Sequence, residues 1–411
     1  GEASVQGHWW TTSAIATDWI EKAWRLNYSG RRRGQDFLAP VAVPQNCSLF
    51  QSALAKQTTS GGTFTLRNYG EFYGAITPDG NGLPIDSPCS PFLGANLGVA
   101  YPGPIYQGSN ALPCTVAAGA CTQISQLLSV GKFPLYSYTD LSYPNAINGD
   151  GGLTVDDRLG GREFLRDIGL NPDGTPAGAG PANGTGLASF SYLVLPEDHT
   201  SGLGGTFTPR AEVAQNDAAV GQIVAALSRS PYWPSTAVFV VEDDSQDGVD
   251  HVDGHRNVLL VASPYAKQMS GNGAKASPGY IGHERYDQAS VIRTMELILG
   301  LPALSSHDQN ARPLYDLFQN KSAAELTPAD LAPFVRAADP PFINETVASL
   351  PSTPALQALQ AQSATMPLGQ DIQGPILEHI AWKVTTDKPE PVELVESVQK
   401  PRISAPVDDD D

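Results

Sequence analysis

Two apolar runs, each stopping at a cluster of acids and histidine, constrain this chain most. The first, 189–195 (SFSYLVL), stops at Pro196, Glu197, Asp198, His199 and Thr200. The second, 237–241 (AVFVV), stops at Glu242, Asp243 and Asp244, with His251 and His255 soon after. Between them Thr208, Pro209 and Arg210 open a helix with proline in its first turn, carrying Val213, Val220, Ile223, Val224 and Leu227. A third apolar run, 257–262 (NVLLVA), follows, and then a helix expected over 288–299, closed by Gly300 and Pro302. Strand, helix, strand with unbroken apolar strands predicts an α/β fold. Its expected core is a mostly parallel central sheet with helices on both faces and long loop insertions. Open sheets of that kind place their sites at the carboxyl ends of strands, which is where both clusters fall.

Three adjacent carboxylates repel one another, and a bound cation or protonation relieves the repulsion. Asp with His in oxygen-rich surroundings suits Zn, Mn, Fe or Ca, and residue type alone does not separate them. Each feature also has a plainer reading. An acidic triplet is commonly a solvated turn, and a strand-end histidine is commonly a hydrogen-bonded loop residue. Their occurrence at two successive strand ends favours a site. His283, in IGHERYDQ before a helix, reads as a ligand or as the N-terminal cap of that helix. His8, beside Trp9 and Trp10, reads as packing, and the arginines at 31–33 as a solvated turn. Ser4, His307 and His379 carry no signal in isolation.

Elsewhere the chain reads as an amphipathic helix over 9–26, short strands within 63–72 and 133–138, and a helix over 159–170. The segment 73–125, rich in Gly, Pro and Cys, reads as an insertion. One domain over 1–390 and an acidic tail over 391–411 are expected. With 40 glycines and 34 prolines among 411 residues, long ordered loops are expected. A net charge of −18 argues against a nucleic-acid binder and against binding to an anionic membrane surface. No apolar run reaches the length of a membrane span. The four cysteines, Cys47, Cys89, Cys114 and Cys121, allow three pairings. Cys114–Cys121 with Cys47–Cys89 is preferred, because the short pair closes a tight loop. Disulfides, few lysines and a neutral-polar surface suit an extracytoplasmic protein. Five Asn-x-Ser/Thr sequons, at Asn27, Asn46, Asn183, Asn320 and Asn344, matter only in a eukaryotic secretory host. The opening Gly1-Glu2-Ala3-Ser4, without an initiator methionine, suggests processing.

The run 238–267 (VFVVEDDSQDGVDHVDGHRNVLLVASPYAK) resembles the phosphoesterase family of phospholipase C-type and acid-phosphatase-type enzymes, within the alkaline phosphatase superfamily. LPEDHTSG (195–202), SPYW (230–233), RNYGEF (67–72) and YDQASVIRTMELILGLP (286–302) fit in the same order. The opening GEASVQGHWWTTSAIATDWIEKAW is similar to the nucleophile segment of the bacterial branch in which such a domain follows a β-propeller. A weaker likeness lies near 376–383. The resemblance implies an alkaline-phosphatase-like fold and a divalent-metal-dependent hydrolase of phosphate esters. Ser4 then stands as nucleophile and metal ligand, with Asp243 and Asp244 as paired metal carboxylates. His199, with Asp198, resembles the group on the opposite side of the phosphate, and His251 a further ligand or acid. His255 and His283 are weaker ligand candidates. A metal lowers the pKa of the attacking hydroxyl and balances phosphoryl charge, while histidine protonates the leaving alkoxide.

One departure stands out. The family pattern begins with a Glu-Asn-Arg stretch that also binds metal, and neither it nor the first strand leading to it is found here. The expectation is therefore a carboxy-terminal part of a longer precursor, whose N-terminal companion segment or chain completes the sheet and the metal site. The competing reading is a catalytically silent structural or surface-assembly protein that reuses this fold. A sulfatase-type esterase fits less well, because no cysteine lies in the short motif such enzymes use.

Overall fold

The computed structural model describes residues 4–22, 44–46, 48–69, 135–136, 156–181, 185–200, 202–244, 257–267, 279–363, 374–386 and 388–391. The four cysteines, His251, His255, the whole of the 73–125 insertion and the 391–411 tail lie outside them, apart from residue 391.

Strands β1 (Leu66–Tyr69), β2 (Leu135–Tyr136) and β3 (Phe190–Leu193) form a parallel sheet in the order β2-β1-β3. Its register sets Leu66 against Phe190 and Tyr69 against Leu193. Alternation along these strands sends successive side chains to opposite faces. On one face Phe190 and Tyr192 meet Phe50 of helix α2 (Leu49–Thr59), with ring centroids 6.1 and 5.1 Å apart. The Tyr192 hydroxyl lies 3.2 Å from the Thr11 hydroxyl of helix α1 (Ser4–Ser13). On the other face Tyr69 packs edge-on against Phe164 of helix α3 (Asp157–Asp167). It shares a buried cluster with Leu165, Ile168, Ile223, Leu227 and Trp233. Ile223 and Leu227 come from the long helix α4 (Pro209–Arg229), which lies against α3. Each large apolar side chain buried there contributes about 1.5–3 kcal/mol. The small sheet therefore has helices on both faces.

The second pair of strands departs from expectation. Strands β4 (Val238–Val241) and β5 (Leu259–Ala262) form an antiparallel ladder of their own, pairing Val238 with Ala262 and Val241 with Leu259. The expected single, mostly parallel central sheet is not shown among the described residues. The reason lies in burial. An unbroken apolar run predicts a strand covered on both faces, yet Val258 is 44% and Leu260 56% exposed. Apolar content alone does not separate a doubly covered parallel strand from one arm of a half-covered ladder.

The helix expected over 9–26 is also corrected. Helix α1 ends at Ser13, Ala14 takes a left-handed φ of 54°, and residues 18–22 are helical again. Hydroxyls of Thr11 and Thr12 bond back to the Gly7 and His8 carbonyls one turn earlier, a back-bonding that competes with the helical ladder near its end. By contrast, helix α5 (Gln288–Leu299) has the expected bounds, with Asp287 as its N-cap in a reciprocal capping box with Ser290. Gly300 closes it at φ 62°. Beyond α5, the short helix α6 (Ser306–Asn310) and irregular chain return across the molecule. Glu345 accepts bonds from the Thr208 hydroxyl (2.9 Å) and Arg210 (2.7 Å), fixing the start of α4. Two further helices follow, α7 (Pro354–Ser363) and α8 (Gly374–Thr385), with α8 lying against α4.

Candidate functional site

Beyond β3 the chain runs through Val194 and Leu195 into a single 3-10 turn, Glu197–His199, which displays Asp198 and His199 at the carboxyl end of the parallel sheet. The next residue, Thr200, sits at φ 61°, ψ 146°. Only glycine visits that region freely, and a β-branched residue there is strained. The strain accompanies a contact of 3.2 Å between His199 Nδ1 and the Thr200 carbonyl. Because a carbonyl only accepts, Nδ1 is the donor in this contact, which fixes the orientation of the ring.

The second cluster follows β4 directly. Glu242 completes the ladder: its N–H donates to the Val258 carbonyl at 3.3 Å, and its carboxylate accepts from the Val258 N–H at 3.2 Å. The Gln288 amide, at the start of α5, donates to the carbonyls of Glu242 (3.1 Å) and Asp243 (2.6 Å). The backbone at 242 and 243 is thereby held from two elements, while the side chains of Asp243 and Asp244 stay half-buried.

Helix α1 closes the third side. A Cβ built on Gly7 would lie 2.0 Å from the Asp243 carbonyl oxygen, so only glycine allows this approach. One residue further, His8 Nε2 lies 3.5 Å from Asp243 Oδ2. Ser4 is the first residue of α1, three residues before Gly7, so its backbone sits about 4.5 Å along the helix axis from the contact.

The electrostatics join the two strand ends. Burial pushes the Asp198 carboxyl up to about 6, and the charges of Asp243 and then Glu242 add to the rise, while His199 opposes it. Neighbouring Glu197 is wholly buried, and desolvation pushes it up to about 10. Buried Asp157 beside it is raised too, by desolvation above all.

Among the residues singled out in the sequence, the structure thus gathers Asp198, His199, Asp243 and the start of α1 at Ser4, with Asp244 next in the chain. His251 and His255 lie outside the described residues. His283 is exposed, and no described contact joins it to Asp243; the cap of α5 is Asp287, not His283. His8 corrects its reading as packing, since it faces Asp243. Sequence reasoning also passed over Gly7, Gln288 and the burial of Glu197. A one-turn spacing from Ser4 to His8 was the available signal for His8; nothing in the sequence marked the other three.

Oxygen donors whose proximity raises Asp198 are chemically suited to a hard divalent cation. Among the described residues, however, no group of three or more His, Cys, Asp or Glu side chains is placed to hold one. The donors fit in kind, and the described residues do not supply a full shell.

These features are compatible with an α/β fold that carries acids and a histidine at its strand ends. Residues 208–302 match the Phosphoesterase family, a stretch running from the N-cap of α4 through β4, the 242–244 acids and β5 to the end of α5. A search of curated proteins and a search of solved structures each returned no match. The family match points to hydrolysis of phosphoric esters as the chemistry of this region. No helix among the described residues is long and apolar enough to cross a membrane.

Proposed function

We propose that the protein is an exported, metal-dependent hydrolase of phosphate mono- or diesters, akin to the branch in which this domain follows a β-propeller. The observation that carries the reading is the 208–302 family match, which spans the 242–244 acids, where Asp243 meets Gly7 and His8 of α1 and its charge adds to the rise at Asp198. Asp243 and Asp244, with Asp198, would hold a divalent cation, which when bound balances charge on the phosphoryl oxygens and favours an ionised hydroxyl. Further ligands come from Ser4, from His251 or His255, and from a companion segment or chain.

In this reading the Ser4 hydroxyl, its proton passing to solvent, attacks phosphorus and the bond from phosphorus to the alcohol breaks. A proton from His199 or His251 goes to the departing alkoxide. Water then cleaves the phosphoserine ester, releasing phosphate from a monoester and regenerating the hydroxyl. Such transfers depend mostly on positioning and electrostatics, so few groups suffice.

The test is turnover of a chromogenic phosphate ester by the full chain, supplied in turn with Zn, Mn, Fe and Ca, before and after chelation. Asp243→Asn should lower kcat by about a hundredfold and weaken cation binding measured by calorimetry. Ser4→Ala should abolish turnover while leaving the cation bound. Cation binding without turnover under any condition would instead favour the silent, structural reading.

A further inference from the structure

We propose that Glu197 and Asp157 form a reciprocal clasp between two chain segments, and that this clasp positions Asp198 and His199. The functional half of the inference rests on the phosphoesterase reading above; the structural half does not. The Asp157 N–H donates to Glu197 Oε2 at 2.8 Å, and the Glu197 N–H donates to Asp157 Oδ2 at 3.0 Å. Asp157 is the first residue of α3 and Glu197 the first of the 3-10 turn. Each carboxyl therefore caps the other's helical start, satisfying N–H groups that such starts leave without an internal partner.

A third element completes the clasp. The Asn216 side chain, from α4, donates to Asp157 Oδ2 at 3.0 Å and to the Leu195 carbonyl at 2.9 Å. The turn is thus tied to α3 directly and to α4 through one amide. It needs such ties, because a three-residue 3-10 turn has little intrinsic stability, and this one has no side-chain cap of the ordinary kind from Pro196.

The clasp is set in the interior, with Glu197 at 0% and Asp157 at 3% exposure. Glu197 Oε1 is buried with no hydrogen-bond partner among the described residues. An idle buried oxygen is costly, and a residue that only filled space would be replaced at no loss by an apolar one. What Glu197 supplies is the acceptor for the Asp157 N–H, one residue away from Asp198 and two from His199. Both residues are positioning residues: neither is placed to touch substrate.

Hydrogen exchange read by mass spectrometry on the full chain, alongside ester turnover, tests the clasp. Glu197→Gln and Asp157→Asn keep the acceptor oxygen and should leave exchange near 157–160 and 194–200, and turnover, within about twofold of wild type. Glu197→Ala should speed exchange in both segments about tenfold, the distant one included, and Asp157→Ala should do the same. Their kcat should fall about tenfold with KM changed far less, and the amide variants should restore it.

Faster exchange at 194–200 alone after Glu197→Ala overturns the reciprocity. Gln as damaging as Ala overturns the acceptor role. Faster exchange in both segments with unchanged kcat overturns the positioning role. If the alanine variants do not fold, Asn216→Ala serves instead: it removes one donor, and unchanged exchange in both segments would sink the clasp. If the wild type turns over no phosphate ester with any cation, the phosphoesterase reading fails, and the exchange arm still decides the clasp.

Discussion

At the turn Glu197–His199 the first acid is enclosed, pushed up to about 10 by burial, and hydrogen-bonded to a backbone forty residues away. At the end of β4 the arrangement is reversed. There the backbone is what the structure grips, through the Gln288 amide and the Gly7 contact, while the Asp243 and Asp244 side chains stay half-buried beside His8. Both regions end an apolar strand in acids, and they settle the charge differently. Desolvation favours the neutral form of Glu197, which then serves architecture. Partial exposure leaves the Asp243 and Asp244 side chains in contact with solvent, where the proposed cation would bind. Asp198, at about 6, stands between the two regimes and feels both. An acid's place in the sequence motif therefore does not decide its task; the solvent left around its carboxyl does.

The sharpest way to break this comparison is to fill the space at Gly7. Gly7→Ala puts a methyl 2.0 Å from the Asp243 carbonyl, against backbone that is already held by Gln288. Helix and strand end must separate, and we expect a loss of about 4 kcal/mol by thermal denaturation, together with loss of ester turnover. A stable, active Gly7→Ala protein would mean that α1 does not approach the end of β4 as described.

Much of this was legible from pattern. The bounds of α5 follow from its 3.6-residue periodicity and Gly300, although its cap is Asp287 and not His283. The start of α4 follows from Thr208 and Pro209. Both clusters fall at strand ends, as the apolar runs required. Pairing direction was not legible, because β5 is as apolar as a doubly covered strand although Leu260 faces solvent. Nor was the division of labour within Glu197, Asp198 and His199. Three adjacent polar residues look alike until the Asp157 and Asn216 partners, 40 residues before and 19 residues after Glu197, are in place.

Glu296 on α5 extends the comparison to a third acid, the helix being the one whose first residue holds the Asp243 carbonyl. Burial pushes it up to about 8, neighbouring Asp308 adds to the rise, and Arg293, 3.2 Å away, opposes it. A raised carboxyl contributes its full stability below the ordinary value and loses it as pH rises through the folded one. Wild type and Glu296→Gln should therefore match near pH 4. From about pH 4.5 upward the wild type should lose ground, by at most about 5 kcal/mol at pH 9, in denaturant titrations run across the range. Parallel pH curves for the two proteins would show that burial does not raise the Glu296 carboxyl.

The smallest effect concerns Thr200, where the strained backbone meets the His199 ring. At an ordinary site alanine is more stable than glycine, because glycine loses more conformational freedom on folding. At φ 61°, ψ 146° that order should invert. Thr200→Gly and Thr200→Ala both remove the hydroxyl and the methyl, so those losses cancel between them. What remains is backbone strain against backbone entropy, and glycine should be the more stable variant by about 1 kcal/mol. The same pair separates strain from positioning. If the strained turn fixes the carbonyl that receives His199 Nδ1, the more stable glycine variant should have the lower kcat, since its backbone is freer to let the ring turn. Alanine more stable than glycine would remove the strain, and equal kcat in the two would leave the His199 contact without a catalytic consequence.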